Sequence, residues 1–178
     1  NEGIIENCYS SGYINGNRYV SGIVGGNYGT VSNSYSSSYV EGYYNVGGLV
    51  GINWGLNSAI ENCYSVGDIY GFDNVGGIVG ENVGGSIRNS YSTGYILGYG
   101  NNIGGLIGYN ELYFDIDGTG YVSNVYFCYN TGDVIGLRNN VGGLVGNNFG
   151  STISNCYNTG SVYGYENVGG LTGYTQES

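Results

Sequence analysis

The sequence predicts an all-β fold, a parallel β-solenoid of six coils, on three observations. An apolar pentad recurs six times, as SGIVG at 21–25, GGLVG at 47–51, GGIVG at 76–80, GGLIG at 104–108, GGLVG at 142–146 and GGLTG at 169–173. A second signature precedes each pentad: IENCYSSG, VSNSYSSS, IENCYSVG, IRNSYSTG, VYFCYNTG and ISNCYNTG. A β-branched residue and a glycine then follow each signature, as in Ile69–Gly71 and Val162–Gly164. The pentad intervals are 26, 29, 28, 38 and 27 residues, so four share nearly one period and a single interval carries extra chain.

Each copy is too short to bury a core of its own. It holds short β-favouring runs broken by Gly and Asn, with no helical periodicity. Such units bury their apolar faces by stacking, with equivalent residues forming ladders ~4.8 Å apart. The predicted coils are 1–26, 27–52, 53–81, 82–109, 110–147 and 148–178, with an insertion at 111–121 in the fifth. One inward ladder is Ile5, Val31, Ile60, Ile87, Val125 and Ile153; another is Ile14, Val40, Ile69, Ile96, Val134 and Val162. The Val and Leu of the pentad segment close the core on a further side. Asn7, Asn33, Asn62, Asn89 and Asn155 form a column expected at an inward-turning bend, bonding up and down the stack. Phe127 breaks that column.

Composition removes most functional classes. The 178 residues include 38 Gly and 22 Tyr but no Pro, Met or His, and three Arg stand against thirteen carboxylates for a net charge of -10. Phosphate neutralisation and anionic membrane surfaces both need cations, so nucleic acid and an anionic membrane surface are excluded as primary partners. Without a run of ~18 apolar residues, no membrane insertion is expected. Without His or Lys there is no Ser-His-Asp triad, no His-ligated zinc and no Schiff-base lysine. Polysaccharide cleavage would want clustered carboxylates in a cleft, whereas these are scattered by phase. The chain reads as non-enzymatic.

The motif GGLVG-x-N-x-G, followed by I-x-N-C-Y-x-T-G-x-V-x-G, resembles the GLUG repeat of bacterial and archaeal cell-surface proteins. The resemblance runs over essentially the whole chain, because six copies keep one phase. It implies an extracellular, adhesin-like β-solenoid without catalysis. The insertion departs from the pattern.

No polar cap is legible at either end, and exposed strand edges invite pairing. Two readings follow: a stretch of a longer surface protein, or a subunit that self-associates end to end in a contact that does not close. Cys8, Ser34, Cys63, Ser90, Cys128 and Cys156 share one column. Only Cys128 and Cys156 lie in adjacent coils, and small buried thiols are favoured there over a bridge. Arg88 and Arg138 have carboxylates, Glu61 and Glu166, one coil away, and both read as cross-coil pairs.

Two candidate sites remain. Asp115 and Asp117, two apart and followed by Gly118, suit either a hairpin turn or oxygen ligation of calcium, the one cofactor the sequence suggests. Tyr9, Tyr35, Tyr64, Tyr91, Tyr129 and Tyr157 form an aromatic column. Facing inward it is core; facing outward it is a stripe able to bind a glycan or a host protein.

Overall fold

A computed structural model describes residues 1–177. It contains strands and no helix, in five sheets of six parallel strands plus one two-stranded hairpin. Each coil contributes one short strand to each sheet. In the first coil these are Ile4–Glu6, Tyr9–Ser10, Tyr13–Asn15, Arg18–Ser21 and Val24–Asn27, and the sheets are numbered one to five in that order. Pairing is in register throughout, with Ile60 on Val31 and Ile87, and Ile69 on Val40 and Ile96.

Both expected ladders are interior. Val31, Ile60 and Ile87 are fully buried and join Leu49, Ile78, Leu106 and Leu144 of the pentads in one apolar core. Val40, Ile69, Ile96 and Val134 form a second core with Val46, Val75, Ile103 and Val141. The pentad glycines make this possible. A Cβ on Gly76 would stand 2.2 Å from the Val79 carbonyl oxygen, and one on Gly77 2.2 Å from that of Gly105. No side chain fits where strand turns so closely on strand.

The Asn column is corrected by the structure. Asn7, Asn33, Asn62, Asn89 and Asn155 sit in the left-handed region, φ 48–55°, but their side chains are exposed. Asn is tolerated there because its short polar side chain bonds locally, and no burial is needed to hold the bend. Cross-coil bonding does occur: Asn89 donates to Asn62 at 3.2 Å, Asn62 to Asn33 and Asn33 to Glu6 at 3.3 Å. Phe127 keeps the same bend at φ 55° with an exposed ring. Its neighbours impose the conformation without help from its own side chain.

The inward amide ladder lies elsewhere. Asn27, Asn53, Asn82, Asn110 and Asn148 are buried, each two residues past a pentad. Asn27, Asn53, Asn82 and Asn110 each donate to the next coil at 2.7–2.8 Å, and Asn1 donates to Asn27 from the level below. A buried carboxamide is costly unless paired, and here every member pairs with its own kind.

The Arg138–Glu166 pair does not form. Glu166 lies opposite Asn139, one residue out of phase with Arg138. Among the described residues the only ion pair is Arg88–Glu61. Both side chains are partly exposed, which limits its worth to about 0–1 kcal/mol.

Two stability predictions follow from these columns. Phe127→Asn relieves a bulky left-handed residue and supplies Asn155 with an acceptor, so it should raise the denaturation midpoint, by about 1 kcal/mol. Asn82→Ala should lower stability by about 1–3 kcal/mol for each buried partner left unpaired. Chemical denaturation with circular dichroism checks both; an unchanged midpoint for Asn82→Ala would show that the ladder does not stabilise.

Candidate functional site

The Tyr column faces outward. Consecutive rings from Tyr9 to Tyr157 stack at centroid distances of 5.5, 4.8, 5.0, 4.8 and 5.0 Å, with interplanar angles of 13° or less. Parallel pairing sets this spacing, since each Tyr opposes the next in register. Stacking covers the ring faces. What remains open along the stripe is a row of ring edges and hydroxyls, plus one free face each on Tyr9 and Tyr157.

The insertion is a β-hairpin, Tyr113–Phe114 against Gly120–Tyr121. Asp115 organises its turn: one carboxylate oxygen accepts the N–H groups of Asp117 at 3.0 Å and Thr119 at 2.8 Å, and the other accepts the Tyr121 hydroxyl at 3.1 Å. Asp117 is exposed. Among the described residues, no three His, Cys, Asp or Glu side chains gather closely enough to hold a metal ion. The hairpin base is anchored by buried Leu112 and by Ser123, which donates to the Glu111 carbonyl at 2.6 Å. Its tip is apolar, with Phe114 and Ile116 exposed.

All four cysteines are free thiols: Cys63 and Cys128 are buried, Cys156 is half-buried and Cys8 is exposed. Their column is a backbone-satisfying device. Each thiol donates to the carbonyl two residues back, as Cys63 does to Glu61 at 3.2 Å. The N–H groups of Cys8, Cys63 and Cys128 reach up to the next coil, to Ser34 at 3.0 Å, Ser90 at 3.1 Å and Cys156 at 3.3 Å. Ser and Cys alternate because either a hydroxyl or a thiol can both donate and accept. The adjacent Cys156 sulfur and burial together raise the Cys128 thiol.

A concave groove between the fourth and fifth sheets lies outside these expectations. Two cavities of about 430 and 510 Å³ share Asn101 and Asn102 and run along the axis. A third, of about 510 Å³, joins through Asn139 and Glu166. Asn45, Asn74, Asn102, Asn140 and Asn167, all left-handed at φ 53–62°, form one wall. The signal was present in the sequence as N-[VI]-G-G, repeated in five of six coils. On the opposite wall, Glu81 accepts the Asn45 amide. Burial, and then the Glu111 charge, pushes the Glu81 carboxyl up; burial does the same to Glu111. Burial and Glu111 push Tyr109, in the next coil, up to about 12.

A raised carboxyl favours the folded state while protonated and loses that contribution as pH rises through its folded value. Glu81→Gln keeps the acceptor for Asn45 and removes the charge. The variant should therefore melt higher than the parent at neutral pH, and the gap should close near pH 4. A gap independent of pH would sink this assignment.

Comparison with known proteins bears on the repeat itself. The family model described as the GLUG motif matches residues 42–70, 73–96 and 138–163. These segments run from the second coil into the fourth and from the fifth into the sixth. No curated protein and no solved structure matches the chain. Three segments of this six-coil β-solenoid thus carry the GLUG motif, consistent with the GLUG repeat family.

Proposed function

We propose that the chain is a stiff, non-enzymatic structural segment of an extracellular surface protein, able to stack end to end. The GLUG repeat and the β-solenoid fold fit a surface structural or adhesin-like module, and among the described residues no helix is long and apolar enough to cross a membrane. The observation that carries the finer reading is the contrast between inner and outer coils. Ile60 and Ile87 are fully buried, whereas Ile5 and Ile153 in the same column are only partly covered. Val168 and Leu171, whose counterparts Val141 and Leu144 one coil below are buried, are exposed on the last coil. A second copy continuing the columns would cover them and pair the open strand edges.

Charge supports that direction of stacking. The column that starts at Arg18 passes through Tyr44 and Asp73 and finishes, beyond Asn139, at Glu166. A following copy would bring its Arg18 onto Glu166, the relation Arg88 has to Glu61. One region opposes it. Asn1 lies one level below Asn27, in the column whose last member is Thr175. Residues 175–177 and the next copy's 1–3 therefore compete for the same level, and one of these short ends is displaced in the stack.

Electron microscopy and light scattering of the purified chain test the reading. Expected are concentration-dependent rods, more of them when residues 175–178 are removed, and no dependence on calcium or a chelator. Glu166→Arg should shorten the rods, and adding Arg18→Glu should restore them. Uniform single particles for every form would refute stacking.

The alternative, an adhesin module binding glycan or protein through the Tyr face, has less support there, because stacking leaves few ring faces free.

A further inference from the structure

We propose that the groove between the fourth and fifth sheets binds a neutral, linear oligosaccharide laid along the solenoid axis. This inference does not depend on end-to-end stacking.

Its first support is unspent hydrogen-bonding capacity. Asn74 donates one N–H to Asn45 at 3.0 Å and accepts from Asn102 at 2.9 Å. Asn102 accepts from Asn140 and Asn140 from Asn167, both at 2.9 Å. A carboxamide has two N–H groups and two lone pairs. Along this ladder each of Asn74, Asn102 and Asn140 uses one of each, leaving one donor and one acceptor per coil. In the buried ladder Asn27 and Asn82 spend a further N–H on the carbonyls of Gly29 and Gly85, and Asn148 bonds the Ser151 carbonyl. Asn53 and Asn110 donate one N–H each but are closed off from any ligand by burial. Asn74, Asn102 and Asn140 are half-buried, and they line the cavities. A donor–acceptor pair repeating every ~4.8 Å matches a polymer of hydroxyl-bearing rings, each hydroxyl being both donor and acceptor.

The second support is shape and flanking chemistry. The groove passes all six coils, about 24 Å from first to last at that rise, and is open along its length. Aromatic rings stand at both ends: Tyr44 and Trp54 at one, Tyr174 at the other. Unlike the outer Tyr rings, Trp54 meets its aromatic neighbour Tyr113 only edge-on, at 6.3 Å, and is exposed at the lip. Aromatic faces next to polar groups suit the two-sided surface of a sugar ring. Asp73, Glu81 and Glu166 supply acceptors.

The third support is charge. Arg18 is the groove's one lining cation among the described residues, against the three carboxylates just named, and the whole chain is at -10. A polyanion is repelled by this balance, and an uncharged chain is not.

Trp54 is the only tryptophan, so its fluorescence reports the groove directly. The folded chain is titrated with cellohexaose, N-acetylated chitohexaose, mannohexaose and, as the polyanion, an oligogalacturonate, with calorimetry in parallel. At least one neutral hexasaccharide should shift the Trp54 emission, and the oligogalacturonate should not. Asn102→Gly removes an amide at the groove's midpoint while glycine keeps the φ of 61°. It should weaken binding about tenfold, the loss of roughly one hydrogen-bonded contact. Tyr44→Ala, an exposed lip residue, should weaken it too and serves if Asn102→Gly fails to fold. Tyr64→Ala, on the outer ladder, should leave it unchanged. Silence of all three neutral probes, wild-type affinity in both groove variants, or loss confined to Tyr64→Ala would each overturn the proposal.

Discussion

Register between coils is the constraint on which the rest of this molecule depends. No coil can bury its own apolar residues, so every buried side chain is buried by its counterparts above and below. A slip of one residue would turn the inward face of a strand outward. Three amide columns hold the register from different directions. The buried Asn27 column donates toward the C-terminal end, while the Asn45 and Asn33 columns donate toward the N-terminal end. A slip in either sense breaks hydrogen bonds at every level. The column around Cys63 adds a fourth tie, from backbone N–H to the sulfur or oxygen of the next coil.

These columns also explain the composition. Glycine is abundant because strand turns on strand so closely that carbonyl oxygens occupy the Cβ position, as at Gly76 and Gly77. Asparagine is abundant because three corners per coil need either a left-handed backbone or an amide that pairs with its own copy. Tyrosine is abundant because an outward position repeated at ~4.8 Å is a natural ring-stacking distance. Proline would remove a ladder donor at nearly every position, and none is present.

The same repetition separates rigidity from recognition. On the outer Tyr face the repeated groups satisfy one another, ring on ring, and little is left to offer a ligand. In the groove the repeated amides satisfy one another only by half. Chain-long stiffness and a linear array of unused polar groups thus come from one device, applied at corners of different curvature. The fifth-coil hairpin stands outside this scheme: its turn is closed by Asp115, and Phe114 and Ile116 are exposed there.

The repeat period, the all-β class, the two aliphatic ladders, the Cys/Ser column and the place of the insertion were legible in the sequence. Each depends on spacing alone, and in-register stacking turns spacing directly into contact. The sequence also carried both further Asn columns, in GGLVG-x-N and N-[VI]-G-G, but spacing says nothing about which way a bend points its side chain. The pairing of Glu166 with Asn139 was legible too, since each precedes the Asn of N-[VI]-G-G. Only the tertiary structure decided that Asn62 is exposed while Asn82 is buried and that the Tyr rings face out. In each case the direction follows from the φ of a corner and the count of residues around it. A left-handed residue swings the following strand by an amount that no alternation pattern records. The groove is the largest consequence of this kind, because it exists only where two sheets from every coil meet at a concave angle.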